Sequence, residues 1–359
     1  MSVLVLLLAA ASQAPGDLTV IRGGRLVTLA GPDIEKGTLI LEGGKIRKLG
    51  GPDLAAPTGA EVIELPASSR VLPGFVDAHS HLGSSYEVEE STESITTEVK
   101  AVEAFTSRHR EVREALGSGV TTVALAPGSG NLIGGWIGVV KLNGARYDRA
   151  LYRDSVALKG SLTEDALRRD REPTSRAGAT RMLRDFLDGW KRSSHPFFVA
   201  ASTASEIHAA LEAAGEGVRV VLVGGREGGS LAEEIRLRTR GVAFGPLTVN
   251  DRRSILETPG RLARAGIPVA FVTDAPRTSE ELLRVSAAFA VKHGMEPSAA
   301  LRALTTVPAG FLGLDTRVGS LEEGKDADVV VWSGDPLALP SSVDLVVVGG
   351  RVTWRKERK

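Results

Sequence analysis

The chain of 359 residues contains no cysteine. That absence excludes disulfides, thiolate nucleophiles, cysteine-bound zinc, iron–sulfur ligation and a lipoprotein-type lipid anchor. Any metal must sit on His, Asp, Glu or a modified Lys, and only six histidines are available. An excess of charge of either sign is also missing: 44 Lys and Arg balance 44 Asp and Glu. The chain therefore lacks the electrostatic footprint of a nucleic-acid or anionic-membrane binder, and neither is expected as a partner. No G-x-S-x-G elbow occurs, so a serine hydrolase has no support. The glycines of APGSGNLIGG (residues 126–135) fit neither G-x-G-x-x-G nor the Walker spacing, and the stretch reads as a structural connection. The apolar run from Val3 to Ala11 is too short to span a bilayer. It has the length of a signal-peptide apolar region and is followed by small residues, although no Lys or Arg precedes it. The expectation is a signal peptide over residues 1–14 and export to the periplasm or beyond, with a buried first strand and a cytoplasmic protein as the alternative.

What remains is ordinary for a folded chain: 42% apolar and 25% charged residues. At about 150 residues per domain the length fits one large domain with a smaller companion. Short β-like runs separated by glycine fill Leu18 to Leu65, as in LTVIRGG and GTLILEGG. From about Val71 to Leu314 apolar runs alternate with helical stretches, the pattern of repeated βα units and a parallel sheet. The runs are VLPGFVDAH, VTTVALA, WIGVVKL, DSVALK, PFFVAA, VRVVLVG, GVAFGP and IPVAFVT. They predict an α/β fold, a (β/α)8 TIM barrel over residues 71–314. From Val318 the β pattern returns. Neither terminal β segment has enough strands alone, so residues 15–70 and 315–359 are expected to form one composite β-sandwich.

In such a barrel the chemistry lies where strands run into the following helices. Four S/T-x-x-E patterns, at Ser161, Thr203, Ser230 and Thr278, predict capping boxes there. They place Lys159, Ala200 to Ser202, Gly224 and Asp274 near strand ends. The first strand ends DAHSH. His79 and His81, two apart on a strand, would face the same side, which is metal-ligand geometry. Asp77 shares their parity as a supporting residue. Asp274 either completes a metal site and accepts a proton, or caps a turn. His109, His208 and His293 lie in or beside helical patterns and read as surface residues, while His195 begins a strand at the opposite end. Arg226, Glu227 and Arg277 lie near strand ends and would contact a substrate or form surface ion pairs.

On four segments the chain resembles the metal-dependent amidohydrolase superfamily, near its imidazolonepropionase-like and Xaa-Pro-dipeptidase-like groups. They are RVLPGFVDAHSHLG, GVTTVALAPGSGNLIGGWIGVVKLNG, AGIPVAFVTDAP, and VGSLEEGKDADVVVWSGDP followed by VVVGGRVTW. The resemblance implies the same barrel and sandwich, and a divalent metal, usually zinc, held by His79, His81 and Asp274. It also implies a role as metal ligand for Lys159, as a carbamate. The implied reaction is hydrolysis of an amide or other C–N bond by a metal-activated water, with Asp274 as the catalytic proton acceptor.

The sequence departs from this pattern at two places. The family places a histidine at the end of strand five and another at strand six, where this chain reads VAAST and LVGGRE. Ala200 to Ser202 and Gly224 then occupy the ligand positions, which leaves donors for one metal and not for two. Two readings follow. The first is a single-metal hydrolase of a small molecule or peptide derivative. The second is a non-catalytic homologue that binds a ligand, forms a homo-oligomer or pairs with an active paralogue. Trp136 is the first candidate for a side chain that fills the barrel mouth.

Overall fold

The computed structural model describes residues 18–84, 87–144 and 150–357. The segment expected as a signal peptide lies outside the described residues. The glycine-punctuated start gives β1 (Leu18–Arg22), β2 (Arg25–Leu26), β3 (Thr38–Glu42), β4 (Lys45–Gly50), β5 (Glu61–Glu64) and β6 (Arg70–Pro73). Eight strands follow: β7 (Phe75–Ser80), β8 (Val120–Leu125), β9 (Ile133–Lys141), β10 (Leu151–Ser161), β11 (Phe197–Ala201), β12 (Val220–Gly224), β13 (Thr239–Phe244) and β14 (Val269–Phe271). The last are β15 (Val329–Trp332), β16 (Val343–Val348) and β17 (Arg351–Arg355).

Strands β7 to β14 form one sheet in sequence order. Its two edges are drawn together by Asp77, whose carboxylate accepts from Thr273 N at 3.0 Å and Thr273 Oγ1 at 2.6 Å. The result is a nearly closed eight-stranded barrel. Alternation along the strands sorts the core into two layers. Val76, Phe198, Val221 and Ala270 fill the interior, whereas Phe75, Leu158, Leu222 and Phe271 pack outward. The outer helices are α1 (Arg110–Gly117), α2 (Arg176–Trp190), α3 (Ala204–Ala214), α4 (Ala232–Arg238), α5 (Arg253–Arg264) and α6 (Glu281–Lys292).

Three local expectations need correction. Strand β9 is antiparallel to both β8 and β10. The regular βα alternation fails there because residues 126–132 are too short for the crossover that a parallel pair requires. The run VLPGFVDAH is also two strands, since β6 pairs with β15 in a terminal sheet while β7 begins the barrel. Gly74 makes the change of sheet: a Cβ there would lie 2.0 Å from Thr121 Oγ1. Of the four capping boxes, the one at Thr203 and Glu206 forms. Ser161, Ser230 and Thr278 instead bond within their own loops, to Thr163, Glu227 O and Thr273 O.

Chain start and chain end build two further sheets, ordered β4-β3-β1-β5 and β17-β16-β15-β6-β2. Their inner faces share a core that includes Ile21, Leu39, Val71, Val329 and Val347. An ionic cluster joins these sheets to the barrel. Lys141, at the end of β9, pairs with Asp326 and Asp328, while Tyr152 Oη donates to Asp326 at 2.9 Å and Arg317 pairs with it at 2.9 Å. Among the described residues no helix is long and apolar enough to cross a membrane.

Candidate active site at the barrel mouth

The end of β7 and the loop after β14 bring His79, His81 and Asp274 together. One donor atom from each lies within 4.8 Å of the other two. His81 Nδ1 donates to Ala126 O at 2.7 Å, and its Nε2 lies 2.9 Å from Asp274 Oδ1. His79 is 4% exposed, and its Nε2 is buried without a hydrogen-bond partner among the described residues. Burial, reinforced by the Lys159 and His81 charges, holds the His79 imidazole well below its usual range, so it is neutral at neutral pH. Two imidazoles and a carboxylate, with one buried His79 nitrogen left orphaned among the described residues, fit a zinc-type divalent cation.

Asp274 sits at φ 69°, a left-handed conformation that side-chain-bearing residues rarely adopt. Residues on both sides hold it there: His81 N donates to Ala275 O, and Thr273 is bonded to Asp77. Burial would raise the Asp274 carboxyl, but the His81 bond and the His79, His81 and Lys159 charges outweigh it and lower the pKa to about 2. Its side chain is 31% exposed, which keeps one face open to the mouth.

Lys159 reaches the same mouth from β10 and is fully buried. Its Nζ donates to Pro127 O at 2.6 Å and Ser129 Oγ at 3.2 Å. Burial lowers its pKa to about 8, against the opposing charges of Asp274 and Glu89. The glycine-rich connection is thus the holder of this lysine, and it exists in that place because β9 turns back. Asp77 is a support: it accepts from His79 N at 2.9 Å while bonding Thr273. Behind it lies Glu280, which composition and spacing did not single out. Its Oε1 accepts from Ser80 Oγ at 3.0 Å. Burial and then the Asp77 charge raise its pKa well above the usual carboxylate range.

Other expected site residues turn elsewhere. Arg226 bonds Pro246 O and pairs with Asp251, and Glu227 accepts from Ala204 N at 2.8 Å, so both fasten loops. Arg277 remains near the site, 3.8 Å from Asp274 Oδ2 and 72% exposed at its side chain. Trp136 does not fill the mouth. It packs on the outer face against Trp190 and His195, with ring centroids 5.8 and 5.2 Å away. Ala200 faces the interior as expected, but its partner on β12 is Val223 rather than Gly224. Gly224 is at φ 100°, where a Cβ would lie 2.3 Å from Ser202 Oγ.

Residues 200–354 match the family described as "Amidohydrolase family". An imidazolonepropionase of Geobacillus kaustophilus is 32% identical over 194 residues, 53% of this chain and 42% of that protein. The matched stretches span less than half the length of the curated relatives, 9% for the amidohydrolase tasK of Hapsidospora irregularis. In solved structures, an amidohydrolase from Thermotoga maritima matches 94% of this chain and 100% of its own at 28% identity, with a TM-score of 0.86. A Xaa-Pro dipeptidase structure with bound methionine shares the fold at 18% identity and a TM-score of 0.68, over 94% of this chain and 100% of its own.

Proposed function

The chain belongs to the amidohydrolase superfamily, and from that premise we propose that it hydrolyses an amide or other C–N bond of a small molecule or peptide derivative at a one-metal site. The metal is zinc, held by His79, His81 and Asp274, with Lys159 as the fourth ligand once carbamylated. The observation that carries this reading is the orphaned, buried Nε2 of a neutral His79 beside His81 and Asp274. When bound, a divalent cation supplies polarisation of the scissile carbonyl and a lowered pKa for water.

The chain's own groups do the rest. Asp274 is ionised at neutral pH and open on one face, so it can take a proton from the attacking water and deliver it to the leaving amine. His81 keeps its tautomer through Ala126 O. Lys159, with its pKa lowered to about 8, has a neutral fraction at physiological pH that can add to carbon dioxide, forming an N–C bond and releasing one proton.

A non-catalytic homologue is the second reading. It is favoured by Ala200 and Val223, two interior positions with no donor atom. Elemental mass spectrometry on protein purified without chelator separates the two. We expect one zinc per chain to be lost in each of His79→Ala and Asp274→Asn relative to the parent, together with turnover in a screen of N-acyl and dipeptide substrates. Protein that stays metal-free after incubation with zinc overturns the hydrolase reading.

A further inference from the structure

Far from the mouth, α3 carries His208 and Glu212 one turn apart, which places both on one helix face. Glu234 on α4 approaches that face, with its Oε1 3.2 Å from His208 Nδ1. One donor atom from each of the three lies within 4.8 Å of the other two, as in the mouth. Arg238 occupies Glu212 Oε1 at 2.6 Å and leaves the second carboxylate oxygen of Glu212 for another partner. The His208 and Glu212 side chains are 61% and 45% exposed, so a cation can enter without any rearrangement of the fold.

From this convergence we propose that His208, Glu212 and Glu234 form a second, outer zinc site that clips α3 to α4. One imidazole with two carboxylates is a donor set for a borderline cation. Calcium needs six to eight oxygens, and magnesium keeps its waters. With three protein ligands on an exposed face, water completes the shell. The chain's zinc content is then two, although the mouth holds one, and a stoichiometry of two is no sign of a paired metal centre in the barrel.

The test is zinc titration by calorimetry, with elemental analysis after desalting, on the parent, His208→Ala, His79→Ala and the double variant. The expected contents are two, one, one and none. Because His208 is exposed, its replacement leaves the fold intact, and Glu234→Gln must behave in the same way. Zinc should raise the melting midpoint of His79→Ala by about 2 °C or more, and calcium should not. In the double variant the rise should vanish. The proposal falls if His208→Ala binds as much zinc as the parent, or if zinc leaves the midpoint of His79→Ala unchanged. Failure of the mouth reading would show separately, as His79→Ala retaining the parent's zinc.

Discussion

Strand β10 carries ionic chemistry near each end, and the two ends are built on opposite principles. Near its start, Tyr152 joins a cluster in which Asp326 is satisfied by Lys45, Lys141, Arg317 and the tyrosine hydroxyl. Burial alone would raise the Asp326 carboxyl, but these partners outweigh it and hold the pKa well below the usual range. Near its far end, Lys159 faces two imidazoles and one carboxylate, and a buried His79 nitrogen has no partner among the described residues. Charge balance and full hydrogen bonding mark a cluster that holds sheets together. Incomplete satisfaction, a depressed lysine and a backbone outlier at Asp274 mark one that is left ready for something else.

Three single substitutions and two paired ones can break or sharpen that contrast. The largest expected effect is on chemistry. Asp274→Asn should lower turnover about a thousandfold or more, because it removes the proton acceptor together with a ligand of the mouth's zinc, whose binding heat should vanish. Steady-state rates alongside calorimetry check both parts. The next is on stability. Asp326→Asn should cost about 3 kcal/mol by breaking a mostly buried ionic cluster, with zinc content in the mouth unchanged. Because the Asp326 carboxyl is held below its unfolded value of 3.8, its contribution is present at neutral pH and fades as the pH falls below that value. Denaturant melts at pH 7 and pH 3 should therefore show the variant's deficit shrinking.

Lys159→Met should do the reverse and stabilise the metal-free protein at pH 7. The folded amine sits near 8 against 10.5 unfolded. Its charged form thus costs about 3 kcal/mol below pH 8, and loss of two hydrogen bonds reduces the gain to about 1 to 2 kcal/mol. As pH rises from about 8 to 10.5 the parent loses that penalty, so the variant's advantage should disappear, which melts across this window will reveal. The smallest effect concerns the two interior positions without donors. Ala200→His with Val223→His should raise zinc affinity at the mouth. Ala200→His with Gly224→His should not, and it should lose about 1 to 3 kcal/mol because position 224 requires a positive φ. Zinc calorimetry and melts on the two pairs decide it.

Much of this was legible in the residues and some was not. All eight barrel strands announced themselves as apolar runs, and DAHSH and FVTDAP lay at strand ends where a mouth must be. What the sequence could not show was parity and reversal. Period-two reasoning reaches the end of β12 but not which of Val223 and Gly224 turns inward, because the sheet register decides it. The turn-back of β9 places Pro127 O and Ser129 under Lys159 and sends Trp136 to the outer face, and a glycine-rich connection is compatible with either direction of the next strand. Glu280 escaped notice because its role arises from contact with Ser80 and Asp77, some 200 residues earlier in the chain. Fold pattern is encoded locally, while the supports of a site come from distant segments.

The pairing of β6 with β15 has a consequence in time. Pro73 meets Val329 across this pair, so the sheet that abuts the first barrel strand waits for its partner while the whole barrel is being synthesised. At roughly 5–20 residues per second, that interval is on the order of ten to fifty seconds. Throughout it, the edge of β6 that β15 will take stays open. Strand β15 therefore acts as a latch, closing an edge that was laid down before the first barrel strand.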